Sequence, residues 1–243
     1  MSESLAIPAG VPAVGTAHLS PADGPAPRIR RWGAAAGIAG PVLLLAYFGT
    51  PLLISWPSAK ATPDQLIAFA TRHATLFYVG GWLQVTGALL SVLFFLVLLQ
   101  LSGRRARLAG AVTLTGAALL LAVVTIEAAM LEAVPMAASA GDRATVATTF
   151  ALGNDGVFAR IFPLAPAPLV FAGIGLALHS APLLPGVFSR SALLLAGLFL
   201  LAGLAAVFGA AGVVFAVVLS VLQALWIAAA AVGLALSDAP RKA

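Results

Sequence analysis

The sequence predicts an all-α polytopic membrane bundle of six transmembrane helices, and three observations predict it. Of the 243 residues, 61% are hydrophobic and only 9% are charged, whereas a soluble domain carries about 25% charged residues on average. The apolar residues gather in six runs, at about 32–56, 76–101, 107–135, 162–180, 190–208 and 213–236. Each is close to the roughly 20 residues that cross a hydrocarbon core of about 30 Å. The basic residues lie at the ends of those runs and favour one side. These observations place a transmembrane domain at 28–238, between a disordered cytoplasmic tail at 1–27 and a cytoplasmic stub at 239–243.

The tail is rich in Pro, Ala, Gly and Ser, with no basic start and no sustained apolar core, so it does not read as a secretory signal. Arg28, Arg30 and Arg31 precede the first run, which Trp32 and Trp56 bracket as an aromatic belt would. Gly33 and Gly37 form a GxxxG pair within it, a spacing that suits close helix contact. In the following connection, Thr62-Pro63-Asp64-Gln65 reads as the start of a surface helix. Thr62 is the N-cap, Pro63 the first helical residue and Asp64 an acid in the first turn. In the second run, Gly80, Gln84, Gly87 and Ser91 form a small-and-polar stripe that should face protein.

Arg104, Arg105 and Arg107 open the third run, nineteen uncharged residues follow, and Glu127 and Glu132 mark its far end. The long connection after it places Val146, Phe150, Gly153, Val157 and Ile161 close to helical spacing. This predicts a short amphipathic helix along the outer interface, broken at Gly153-Asn154-Asp155-Gly156. Pro163, Pro166 and Pro168 predict an irregular start to the fourth run. Gly209-Ala210-Ala211-Gly212 joins the last two runs in a tight hairpin.

With six spans, alternate loops carry Arg28/Arg30/Arg31, Arg104/Arg105/Arg107, Arg190 and Arg241/Lys242 on one side. Lys60, Arg72, Arg143 and Arg160 lie on the other, offset by Asp64, Asp142 and Asp155. The positive-inside rule then puts both termini in the cytoplasm. The net charge of +5 is explained by this topology and forms no phosphate-binding face, so no nucleic-acid partner is expected. The absence of cysteine excludes disulfides, thiolate metal sites and cysteine nucleophiles. His73 and His179 fall at opposite ends of their spans, which excludes a bis-histidine haem within one chain. Neither lysine lies inside a run to hold retinal, and HExxH, GxSxG and Walker motifs are absent. No cofactor or metal is expected.

One polar layer remains. At about 1.5 Å per residue, Gln84, Glu127 and Gln223 share the outer half of the bundle, with Trp82 and Trp226 near in sequence. These predict a ligand site of Glu127, Gln84, Gln223 and Trp82, with Glu132, Asp155, Asn154 and His73 as secondary candidates. Each has a bland alternative. Glu127 could be an interfacial carboxylate, solvated or paired with Arg72, Arg143 or Arg160. The glutamines could be interhelical glue, the tryptophans belt residues, and His73, Asn154 and Asp155 exposed loop positions.

The layout of a basic stub, six spans, a loop helix before the second, an arginine-rich turn before the third and a long outer loop before the fourth covers about residues 30–236. It resembles small six-helix bacterial inner-membrane proteins grouped only as domains of unknown function. The resemblance implies the bacterial cytoplasmic (inner) membrane and transfers no activity. Two functions stay open. One is a non-enzymatic binding, transporter-like or accessory bundle taking a lipid or apolar small molecule from outside. The other is a membrane-embedded enzyme acting on a lipid or isoprenoid, with Glu127 and either Glu132 or Asp155 as acid/base groups or metal ligands.

Overall fold

The apolar runs fold as helices that alternate in direction around a ring. The structure, a computed structural model, describes residues 25–50, 54–58, 60–103, 108–154, 160–181 and 183–237. Among them are eight long helices: α1 (Pro25–Gly49), α2 (Pro63–Arg72), α3 (Ala74–Leu101), α4 (Leu108–Ser139), α5 (Arg143–Asn154), α6 (Pro166–His179), α7 (Gly186–Val207) and α8 (Ala210–Leu236). By length and composition, α1, α3, α4, α7 and α8 can cross a membrane, while α6 is apolar but spans only 14 residues. The protein is an all-α, membrane-embedded helical bundle.

Each apolar helix packs on its neighbours in the chain, and α1 closes the ring against α8. Contacts give the directions. The α1 helix meets α3 through Gly33 on Val97 and Gly40 on Ser91, so the two are antiparallel. The same sense holds for Gly116 with Val170 and Gly173 with Thr113 between α4 and α6, and for Trp226 with Ser191 between α8 and α7. Apolar side chains cannot drive this association in lipid, so close backbone approach and dispersion must. A Cβ on Gly40 would lie 2.8 Å from Gly87 O, and one on Gly116 would lie 2.6 Å from Val170 N. The GxxxG pair and the Gly80–Gln84–Gly87–Ser91 stripe are both turned inward, as their spacing predicts, and all four stripe residues are buried.

Several boundaries differ from the sequence reading. Helix α1 begins at Pro25, so the expected tail is helical from there, and residues 1–24 and 238–243 lie outside the described residues. It ends at Gly49, two residues before Pro51 in the sequence, a residue type that disfavours helix in the one preceding it. Trp56 is consequently not a belt residue closing the first span. It packs against Phe69, Phe77 and Phe150 instead. Helix α4 runs past the expected end, through Pro135 to Ser139. The expected fourth span at 162–180 contains helix only over Pro166–His179, because Pro163 and Pro166 delay its start. Between α7 and α8, Gly209 adopts φ +153°, a backbone conformation that favours glycine in this two-residue link.

At the end of the ring where α3 starts and α4 finishes, α2 and α5 form a cap with its own core of Leu66, Ala70, Phe77, Val134, Ala138, Val146 and Phe150. The predicted start of α2 is present in full: Thr62 Oγ1 accepts from Gln65 N, and Gln65 Oε1 accepts from Thr62 N at 2.8 Å. Asp142 caps α5, its Oδ1 accepting from Thr145 N at 3.1 Å and its Oδ2 from Thr145 Oγ1 at 2.6 Å. These bonds hold the exposed Asp142 carboxyl below its usual range. Helix α5 is described as far as Asn154, and Asp155 and Gly156 of the expected break lie outside the described residues.

Candidate functional site

Helix α6 is about 21 Å long at 1.5 Å per residue. Its neighbour α4, of 32 residues, is much longer. Between α1, α3, α4 and α8 lies a cavity of about 400 Å³. Leu44, Tyr47 and Phe48 of α1, Gln84, Ser91 and Phe95 of α3, Leu120 and Glu127 of α4, and Ser220, Gln223 and Ile227 of α8 line it. Gly153 of α5 and Phe162, just before α6, lie at its boundary. The volume lies in the range of about 300–1,000 Å³ typical of small-molecule sites.

Helix direction sorts this lining by depth. Tyr47 sits near the capped end of α1, and Glu127 and Gln84 lie toward the capped ends of α4 and α3. Phe95, Leu120 and Ile227 lie further along their helices toward the opposite end. One end of the cavity is thus polar and the other apolar. At the polar end, Tyr47 Oη donates to Glu127 Oε1 at 3.3 Å and Gln84 Nε2 donates to Oε2 at 2.5 Å. The carboxylate joins α1, α3 and α4. The cavity lining contains no lysine, arginine or histidine, so Glu127 has no cationic partner among the described residues there. Arg143, one of the loop arginines that could have paired with it, instead bridges to Asp64 at 2.8 Å.

Buried polar groups normally find partners, and most in this ring do. Ser91, Thr113 and Ser189 each donate to a backbone carbonyl. The two glutamines are different. Gln84 is 4% and Gln223 6% exposed, and the Oε1 atom of each is buried without a hydrogen-bond partner among the described residues. Gln84 does serve as interhelical glue through its Nε2, but its oxygen is left over. Three of the four primary candidates therefore share one cavity.

The fourth does not. Trp82 is 58% exposed and outside the lining, because two residues along a helix is about 200° round the axis from Gln84. Glu132 also lies apart: its side chain covers Gly81 of α3, so it does not join Glu127 at the cavity. His73 stands at the α2–α3 junction with its ring 4.6 Å from that of Phe69, in the cap. Asp155 lies outside the described residues, and Asn154 is described only as the last residue of α5. Sequence reasoning missed Tyr47, Phe48 and Ser220. For Tyr47 a signal existed, since a phenol one turn inside an apolar helix brings a polar tip that seeks a partner.

Compared with known proteins, the chain matches no family model, no curated protein and no solved structure. The site must be read from its own chemistry. A carboxylate with two donors, two leftover amide oxygens and an apolar inner wall can hold the polar head and apolar body of an amphiphile. Among the described residues the lining offers a single carboxylate, so paired acid/base work between Glu127 and Glu132 has no geometric basis there.

Proposed function

We propose that the protein is a non-enzymatic binding bundle of the bacterial cytoplasmic membrane, transporter-like or accessory to transport, that takes a lipid-like small molecule into its outer cavity. The observation that carries this reading is the pair of buried, unpartnered oxygens of Gln84 and Gln223 in the same cavity as Glu127. A cluster kept only for packing would have closed these valences on itself, because each unsatisfied buried group costs about 1–3 kcal/mol.

In this reading all six apolar helices cross the bilayer. The turn at 162–165 extends α6 outward, so that the stretch 162–180 makes the fourth crossing and α5 lies along the outer interface. Support comes from the alternating directions around the ring and from charge. Over the full sequence, Arg28, Arg30, Arg31, Arg104, Arg105, Arg107, Arg190, Arg241 and Lys242 fall on the side where α1 and α7 start, against Lys60, Arg72, Arg143 and Arg160 on the other. Both termini are then cytoplasmic by the positive-inside rule, and the cavity faces outward.

The test is thermal unfolding of the purified chain in zwitterionic nanodiscs, titrated with dodecanol. A saturable rise in Tm is expected for the wild type. It should disappear in Ala216→Phe, which fills the cavity from a position only 2% exposed. Circular dichroism checks that the variant is folded. A response that survives the filled cavity would mean the alcohol acts through the bilayer, and the proposal would fail.

A further inference from the structure

The chemistry of the polar end points to a more specific occupant. We infer that the cavity binds a primary alkylammonium amphiphile, its head held by Glu127, Gln84 and Gln223 and its chain lying against the apolar wall. This rests on the reading of the cavity as a ligand site and names the class of ligand.

Three observations support it. Among the described residues, the buried side-chain atoms left without a hydrogen-bond partner are both acceptors, on two residues of the cavity lining. Gln84 Nε2 is committed to the Glu127 carboxylate, which fixes the orientation of that amide and leaves Gln84 Oε1 as a buried acceptor. Gln223 Oε1 is a second such acceptor. The carboxylate is a third, since each oxygen takes one bond from the protein and has lone-pair capacity to spare. A primary ammonium presents three N–H donors and no acceptor, so its valences match this set in number and in kind.

Charge gives the same answer. Among the described residues the lining holds one carboxylate and no basic side chain, and a buried charge is costly until it is paired. A monocation neutralises Glu127 where a neutral alcohol would not, and a carboxylate ligand would place like charges together. The walls complete the fit. Tyr47 and Phe48 bring aromatic rings to the cavity toward its polar end, and ring faces attract ammonium groups. Leu44, Leu120, Val124 and Ile227 supply apolar surface for a hydrocarbon chain.

The experiment uses the full chain in zwitterionic nanodiscs and four probes with the same C12 chain: dodecylammonium, dodecyltrimethylammonium, dodecanol and dodecanoate. Dodecylammonium should bind at least about tenfold tighter than dodecanol, equivalent to about 1.4 kcal/mol, and dodecanoate weakest. The trimethylated probe keeps the charge but has no N–H, so it should fall between dodecylammonium and dodecanol. Glu127→Gln should abolish the preference for dodecylammonium over dodecanol. As a second variant, Gln223→Leu should reduce the advantage of dodecylammonium over the trimethylated probe.

Equal or tighter binding of dodecanol or dodecanoate would overturn the inference. So would an ammonium preference that persists in Glu127→Gln, which would reflect partition into the bilayer. If dodecanol binds and Ala216→Phe blocks it while dodecylammonium gains nothing, the cavity reading survives and this inference fails. If none of the four probes binds, both fail together.

Discussion

The cap and the cavity are neighbours at the same end of the bundle, yet they are built on opposite principles. In the cap, Trp56, Phe69, Phe77 and Phe150 pack ring against ring, with centroids 5.5–6.3 Å apart. Its two helices are capped by Thr62 and Asp142, and an ion pair between Asp64 and Arg143 ties them together at the surface. Every level of the cap supports the same structure, as a sequence selected for one fold should. The cavity contains a carboxylate without a cation and two amide oxygens without partners. Local rules broken in one place, within a bundle that obeys them elsewhere, mark where selection acts on something other than stability.

This contrast can be broken most forcefully from the cap side. Phe150 is 4% exposed at the centre of the ring cluster. Phe150→Ala should cost about 3–5 kcal/mol by loss of contacts and cavity formation, read as a large fall in Tm of the purified chain. A small loss would mean that the cap core contributes little, and the comparison would lose one of its sides. A smaller effect is expected across the cavity. Glu127→Gln should alter stability by less than about 1 kcal/mol, since interhelical hydrogen bonds in membranes average about 0.6 kcal/mol and the amide retains an acceptor. The same denaturation measurement checks it, and a fall as large as that of Phe150→Ala would make Glu127 a structural residue.

The smallest effect is a pH dependence local to the cap. The Asp142 carboxyl is held below its usual range by bonds from the Thr145 hydroxyl and backbone N–H, and from the Ala144 N–H. With the folded value depressed, the stabilisation is fully present above the unfolded value of about 3.9. It is lost as pH falls through the lower folded value. Hydrogen exchange should show α5 amides losing protection on acidification in that range, and Asp142→Asn should remove the dependence. Protection in α5 that ignores acid would deny Asp142 its capping role.

How much of this was legible in the sequence follows from the range of the interactions involved. The capping box at Thr62–Gln65 is local, and four residues suffice to read it. The GxxxG pair and the Gly80–Ser91 stripe are also local patterns, and both face protein. Depth counting brought Gln84, Glu127 and Gln223 together, because 1.5 Å per residue holds in any helix. It failed for Trp82, since proximity along the chain says nothing of the face, and two helical residues point almost oppositely. Trp56 was misread because its role depends on Phe150, 94 residues later, whose approach only the folded cap reveals. Tyr47 was missed for a related reason: its hydroxyl acquires meaning only when α1 packs on α3, which brings it within reach of Glu127 on α4. The short α6 also escaped, because an apolar run marks membrane-like composition and not how much of it is helix.

The most direct test of the central claim is Gln223→Leu, read for stability and ligand response in one experiment. Leucine replaces a buried amide with an unpartnered oxygen by an apolar side chain of similar size. If the glutamine serves a ligand, Tm without ligand should hold steady or rise, by up to about 1 kcal/mol in stability, and the Tm rise with dodecylammonium should shrink. A clear loss of stability with an unchanged ligand response would show that Gln223 is packing glue, and the account of the cavity would be wrong.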